Sequence, residues 1–214
     1  MRILRFLLPV ALLAVVAGAP TLALAGKTAT AEEEKLPVIV ATGISDFDSV
    51  FLRAKDIHTT IDTQTTALKD AKKGVNKAAG VAEDAPLGTG LDALKAAANG
   101  NLSLDNSGPT PRVKAKAASP ANVEDAATAI NKLADAAEKT VGVVKDLGPQ
   151  GKELATACAA FPAKLLTMEP SVILAKKKLV GDDTKATAAT PERIDRLGKA
   201  AEEVFTSLKN TFTE

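Results

Sequence analysis

From residue 47 to residue 82, apolar or small side chains recur at alternating steps of three and four: Phe47, Val50, Ala54, Ile57, Ile61, Leu68, Ala71, Val75, Ala78 and Ala82. Gln64 takes one place in the series. This is a heptad seam sustained for five repeats. At about 1.5 Å per residue such a helix spans roughly 55 Å, and it is stable in water only when other helices cover its seam. Phe47, Val50, Ala54, Ile57, Ile61, Leu68 and Val75 are therefore the candidate interaction seam. Heptads alone do not distinguish packing within one chain from pairing with a second copy, since both bury the same positions.

Two further series supply cover. Val123, Ala126, Ile130, Leu133, Ala137, Thr140, Val144 and Leu147 keep one phase, which continues through Gly151, Leu154, Cys158, Phe161, Leu165 and Met168. Gly148-Pro149 and Pro162 predict breaks in that run, giving a helix to about residue 147 and a second over 149–168. Ile194, Leu197, Ala201, Val204, Leu208 and Thr211 form the third series, widened by Phe205 and Phe212. Three seams in one chain predict an all-α, antiparallel helical bundle spanning residues 45–214.

Local signals place the ends. Ser45 with Asp48 reads as a partial capping box, Ser119-Pro120 as a cap and first turn, and Thr190-Pro191-Glu192 repeats that signature. Pro86, Gly88 and Gly90 predict a break before a short helix over 91–98, which Asn99-Gly100 ends. Residues 101–118 carry no helical period. Leu102 and Leu104 alternate with polar residues, residues 105–109 supply turn chemistry, and Val113 and Ala115 alternate with basic residues. The pattern fits a small β-hairpin or a loop, with the β-branched stretch at 36–41 able to join as a third strand. Residues 171–180 read as a short amphipathic helix with Lys176, Lys177 and Lys178 on its edge, and residues 181–189 as a linker. Packing on the bundle with those lysines in water is favoured over lying on an anionic membrane.

The N-terminus has the layout of a secretory signal. Arg2 and Arg5 precede an apolar run over 6–17, and Ala23-Leu24-Ala25 offers small residues for cleavage before Gly26. The apolar run is shorter than the ~20 residues of a spanning helix, so stable membrane insertion is not expected after cleavage. The expected organisation is a signal peptide over 1–25, a flexible arm with a short extended segment over 26–44, and the bundle. Of 27 Lys plus Arg, removing Arg2 and Arg5 leaves 25 basic residues against 26 Asp plus Glu, a balance that does not point to nucleic acid. The chain is expected to be exported, periplasmic or secreted.

Chemistry-bearing residues are few. His58 is the single histidine and Cys158 the single cysteine, so neither a paired Glu-x-x-His dimetal site nor an intramolecular disulfide can form. Cys158 falls in an apolar seam, which predicts a buried thiol. Asp182 and Asp183 read as solvated charges, and Gln64 as a residue near a solvated edge in preference to a buried, register-fixing amide. No phosphate loop, dinucleotide fingerprint or nucleophile elbow occurs. No cofactor, metal or catalytic residue is expected. The sequence favours a non-enzymatic interaction or scaffold module of the cell envelope, acting on a protein partner or by self-association. The alternative is a bundle that opens at Pro149 and Pro162 around a lipid or other apolar ligand.

Overall fold

Three phenylalanines close one end of the core. Phe161 meets Phe47 edge-on at 4.7 Å between ring centroids and Phe51 at 5.2 Å, and all three rings are buried. The computed structural model describes residues 37–213 apart from Ala118. The expected signal peptide and the polar arm up to residue 36 lie outside the described residues.

Six helices and one hairpin follow in the order α1 (Ser45–Ala78), α2 (Leu87–Ala98), β1 (Leu102–Asp105), β2 (Arg112–Ala115), α3 (Ala121–Ala159), α4 (Phe161–Leu166), α5 (Pro170–Ala188) and α6 (Thr190–Phe212). Long α1, α3 and α6 pack side by side, and named contacts give their directions. Arg53 near the start of α1 pairs with Glu153 near the end of α3, so these two run antiparallel. Gly151 of α3 lies against Ile194 of α6 while Val144 lies against Gly198, so these are antiparallel as well. His58 meets Thr190 and Asp62 meets Arg193, so α1 and α6 run parallel. The architecture is the all-α bundle that the three seams predict, with a small β insertion.

The long first helix contains the threonine-rich stretch that propensity disfavours. Thr59, Thr60, Thr63 and Thr66 each donate their hydroxyl to the carbonyl four residues back, at 2.8–3.0 Å, so these polar groups are satisfied on the helix's own outer surface. Gln64 is buried, contrary to the solvated-edge expectation, because the inward phase of the seam holds it between Ile61 and Leu68. The helix stops at Ala78, short of residue 82, where Gly80 takes a left-handed φ of 68°.

Several breaks fall elsewhere than predicted. α3 runs unbroken through Pro149. An interior proline costs about 3 kcal/mol through the lost N–H bond and its clash with the preceding turn. Here Pro149 and Lys145 are exposed, so water reaches the freed carbonyl, while Gly151, Leu154 and Cys158 continue the seam into the core. The chain breaks at Ala160, and Pro162 sits in the first turn of α4, where its missing N–H is harmless. The linker predicted at 181–189 is the second half of α5, which buries Asp183, Ala186 and Thr187. Burial of Asp183, Ala186 and Thr187 against the bundle extends the helix through these residues.

Gly88 and Gly90 lie inside α2 and do not precede it. At Gly90 the two helices come so close that a Cβ would overlap Asn76 Oδ1. Asn76 is fully buried, and its amide donates to the carbonyls of Glu83 (3.1 Å) and Ala85 (2.8 Å), tying the connection between α1 and α2. Helix propensity alone favours Gly90→Ala by about 1 kcal/mol. Displacing Asn76 costs its two hydrogen bonds, so Gly90→Ala is expected to destabilise by about 2 kcal/mol net. A urea midpoint equal to or above the parent's would contradict this.

Of the two readings of residues 101–118, the hairpin is the one that forms, with Leu102 opposite Ala115 and Asp105 opposite Arg112. Asn131 of α3 holds the outer edge of β2: it accepts from Val113 N–H and donates to Val113 C=O, both at 2.9 Å, as a third strand would. Residues 37–44 form no strand and lie as an extended strap with Ile39 in the core. None of the three predicted caps forms through its side chain. The N-caps are Ile44, Pro120 and Ala189, Ser119 donates instead to Lys116 C=O, and Thr190 turns inward.

Candidate functional site

The seam residues come first. Phe47, Ala54, Ile57, Ile61, Leu68 and Val75 are all buried inside the chain, and Val50 is partly buried against the same core. α3 packs most extensively along α1, and α2, α6 and α5 pack on it as well. A partner that used these positions would have to displace the chain's own helices.

The residues able to do chemistry are also drawn inside, and each has its local reason. His58 stands beside Ile57 on the flank of the seam and points to the start of α6, where its Nε2 lies 2.9 Å from Thr190 Oγ1. Burial pushes the imidazole pKa down to about 4, the Arg193 guanidinium adds to the depression, and Asp62 partly opposes it. The ring is therefore neutral at neutral pH and serves as a hydrogen-bonding group. Cys158 is a free thiol, 3% exposed, beside the Thr187 hydroxyl; burial pushes its pKa up to about 11, with Thr187 acting weakly the other way. A thiol held protonated in this way is a poor nucleophile.

Asp183 contradicts the solvated reading outright. It is fully buried, and its Oδ1 accepts the Val40 N–H at 3.3 Å. Burial raises its pKa, and the nearby Asp182 and Asp48 carboxylates raise it further, against the lowering effect of the Val40 bond. Its Oδ2 is buried with no hydrogen-bond partner. The sequence signal that could have placed it is the phase of α5: Val180, Asp183 and Thr187 recur at steps of three and four and share one face.

Asp48 pins the other end of the strap. Its carboxylate accepts from Thr42 N–H at 2.6 Å, Thr42 Oγ1 at 2.7 Å and Gly43 N–H at 2.9 Å. Partial burial works to raise its pKa, yet these three bonds and the Lys176 charge win and hold it below the usual carboxylate value. The residue expected to complete a capping box on Ser45 thus fastens the chain that enters the helix.

Two surface features remain. A shallow groove of about 390 Å³ is lined by Asp92, Lys95, Ala96, Asn99, Gly100, Leu102 and Phe212, and Lys95 spans its edge to donate to Thr211 C=O at 2.6 Å. At the opposite end, the corner between α4 and α5 exposes Leu166 and Leu174, 82% and 85% accessible, beside Lys164, Lys177 and Lys178. Among the described residues no group of three His, Cys, Asp or Glu is placed to hold a metal ion, and no helix is long and apolar enough to cross a membrane. The class that these features define is an all-α bundle with a hairpin insertion and with His58, Cys158 and Asp183 turned inward. No family model, curated protein or solved structure matches the chain.

Proposed function

We propose that the protein is an exported, non-enzymatic interaction module of the cell envelope, which works through its outer surface and keeps its heptad seams for its own folding. The observation that carries this reading is the placement of the reactive residue types. His58 is spent on Thr190, the Cys158 thiol is buried in the seam, and Asp183 is spent on the strap. Each contributes to packing or to tethering. The layout of residues 1–25, with two arginines, an apolar run and small residues before Gly26, supports export.

The test has two parts. Intact mass of the exported chain is expected to show a start at Gly26, whereas a cell-retained chain beginning at Met1 would rule the export reading out. Light scattering with helical circular dichroism over a dilution series is expected to show constant helicity, because the chain's own helices already cover the seam of α1. Helicity that falls on dilution would mean that the seam requires a second copy, and would replace this reading with a self-associating coiled coil.

A further inference from the structure

We infer that the corner between α4 and α5 is a docking surface for an anionic phospholipid bilayer, on which the folded bundle rests without inserting a helix. This deepens the envelope reading above and depends on it for its biological setting. Leu166 ends α4 and Leu174 lies in the first turns of α5, and they are the two most exposed large apolar side chains among the described residues, at 82% and 85%. Nothing in the fold of the chain requires either to be apolar. The neighbouring apolar residues Leu165 and Met168 are partly buried against the core and hold the corner in place.

Charge selects the occupant. Lys177 and Lys178 follow Leu174 by three and four residues, which puts them on the same outward face of α5 as the leucine, and both are exposed. Between residues 164 and 181 the chain carries Lys164, Lys176, Lys177 and Lys178 against the single acid Glu169, while the whole chain is at +1. Lys164 lies 3.5 Å from Asp46 and Lys176 acts on Asp48, which leaves Lys177 and Lys178 as the outward cations of the corner. Two protruding leucines flanked by lysines with flexible apolar stems match an interface in which side chains enter the acyl boundary and ammonium groups meet phosphates. A protein partner with an apolar cleft would meet the leucines equally well, but it would not by itself call for the basic flank.

Co-sedimentation with vesicles tests the inference. The whole chain and the chain beginning at Gly26 are each mixed with vesicles of neutral phosphatidylcholine and with vesicles carrying one third phosphatidylserine. Helical circular dichroism confirms that every variant is folded. Expected results are binding at least tenfold stronger to the anionic vesicles, a fall of several-fold between 50 and 300 mM salt as added ions screen the lysines, and a tenfold loss in both Lys177→Glu/Lys178→Glu and Leu166→Ser/Leu174→Ser. Binding through residues 1–25 would differ, being present for neutral vesicles and unchanged by these substitutions. Equal binding to both vesicle types, or anionic binding that survives both double variants, would overturn the inference. So would a concentration-dependent dimer that Leu166→Ser/Leu174→Ser abolishes without vesicle binding, which would assign the corner to a second copy. Failure here leaves the mass of the exported chain, and hence the export reading, untouched.

Discussion

Phe161→Ala is expected to lower the unfolding free energy by about 3–5 kcal/mol, the usual range for emptying a buried aromatic site. Phe161 is 2% exposed and wedged between Phe47 and Phe51, with interplanar angles of 64° and 83° that bring ring edges against ring faces. It is also the first residue of α4, immediately after the break at Ala160. Its ring is thus what fixes the direction in which the chain leaves α3. Losing it should loosen α4 and the start of α5 ahead of the rest. Urea unfolding gives the magnitude, and amide exchange gives the location: faster exchange over 161–180 than over 121–140 is expected. Phe161→Leu, which keeps most of the volume, is expected to lose about 1–2 kcal/mol. A loss below 1 kcal/mol for the alanine variant would show that the three-ring contact does not anchor this end.

His58 is expected to make stability fall with acid. Its folded pKa of about 4 lies below the ordinary value of 6.5, so the unfolded chain binds the proton more readily than the fold does. The contribution is fully present above pH 6.5 and is lost progressively as pH falls toward 4. At 1.36 kcal/mol per unit the loss approaches about 3 kcal/mol. Arg193 and Asp62 face the ring from α6 and α1 and pair with each other, and the Thr190 hydroxyl does not titrate. Asp183 has the opposite sign: its raised pKa means that ionisation is disfavoured in the fold, so its contribution is lost as pH rises. Comparing the parent with His58→Gln isolates the imidazole, because the amide can still bond Thr190 but cannot take up a proton. Urea midpoints at pH 7.5, 5.5 and 4 are expected to diverge, with the variant losing less. Parallel curves would show that the ring is not held neutral.

The bundle itself was legible because its long seams are periodic. Phe47, Ile57, Leu133, Leu154, Ile194 and Leu208 from the three series all stand in the core, and only the end of the first series fails, where Ala78 and Ala82 are exposed. The hairpin was legible as one of two readings, from alternation and from the turn chemistry at 105–109. Breaks were harder to place. Proline and glycine carry a local penalty of about 1–3 kcal/mol, and whether it is met depends on what the neighbouring helices offer. Pro149 stays helical because its outer face is wet and its inner face is covered; Gly90 is helical because Asn76 takes the space of a side chain.

The surface was the least legible part. Asp183 and Leu174 lie on the same helix, and their chemistry alone would put the acid in water and the leucine in the core. The structure does the reverse: Asp183 is fully buried under Val40 and Leu174 is 85% exposed. The strap over 37–44 reaches Asp183 through Val40, α1 and α3 pack on α5 as well, and among the described residues none buries Leu174. Periodicity gives this exchange only the short signal of Val180, Asp183 and Thr187, because α5 is only weakly amphipathic and the strap reaches it from 143 residues away in sequence.

By itself, then, the sequence determined the helical class, the seams and the likeness of residues 1–25 to an export signal, and it narrowed residues 101–118 to a hairpin or a loop. Those depend on interactions within a few residues: repeat period, turn propensity and composition. Tertiary structure alone decided which proline breaks a helix, that His58 meets Thr190, that Asp183 rather than a leucine lies under the strap, and that Leu166 and Leu174 face outward. Each of these is settled by what a distant element covers, and coverage is a property of the packed chain.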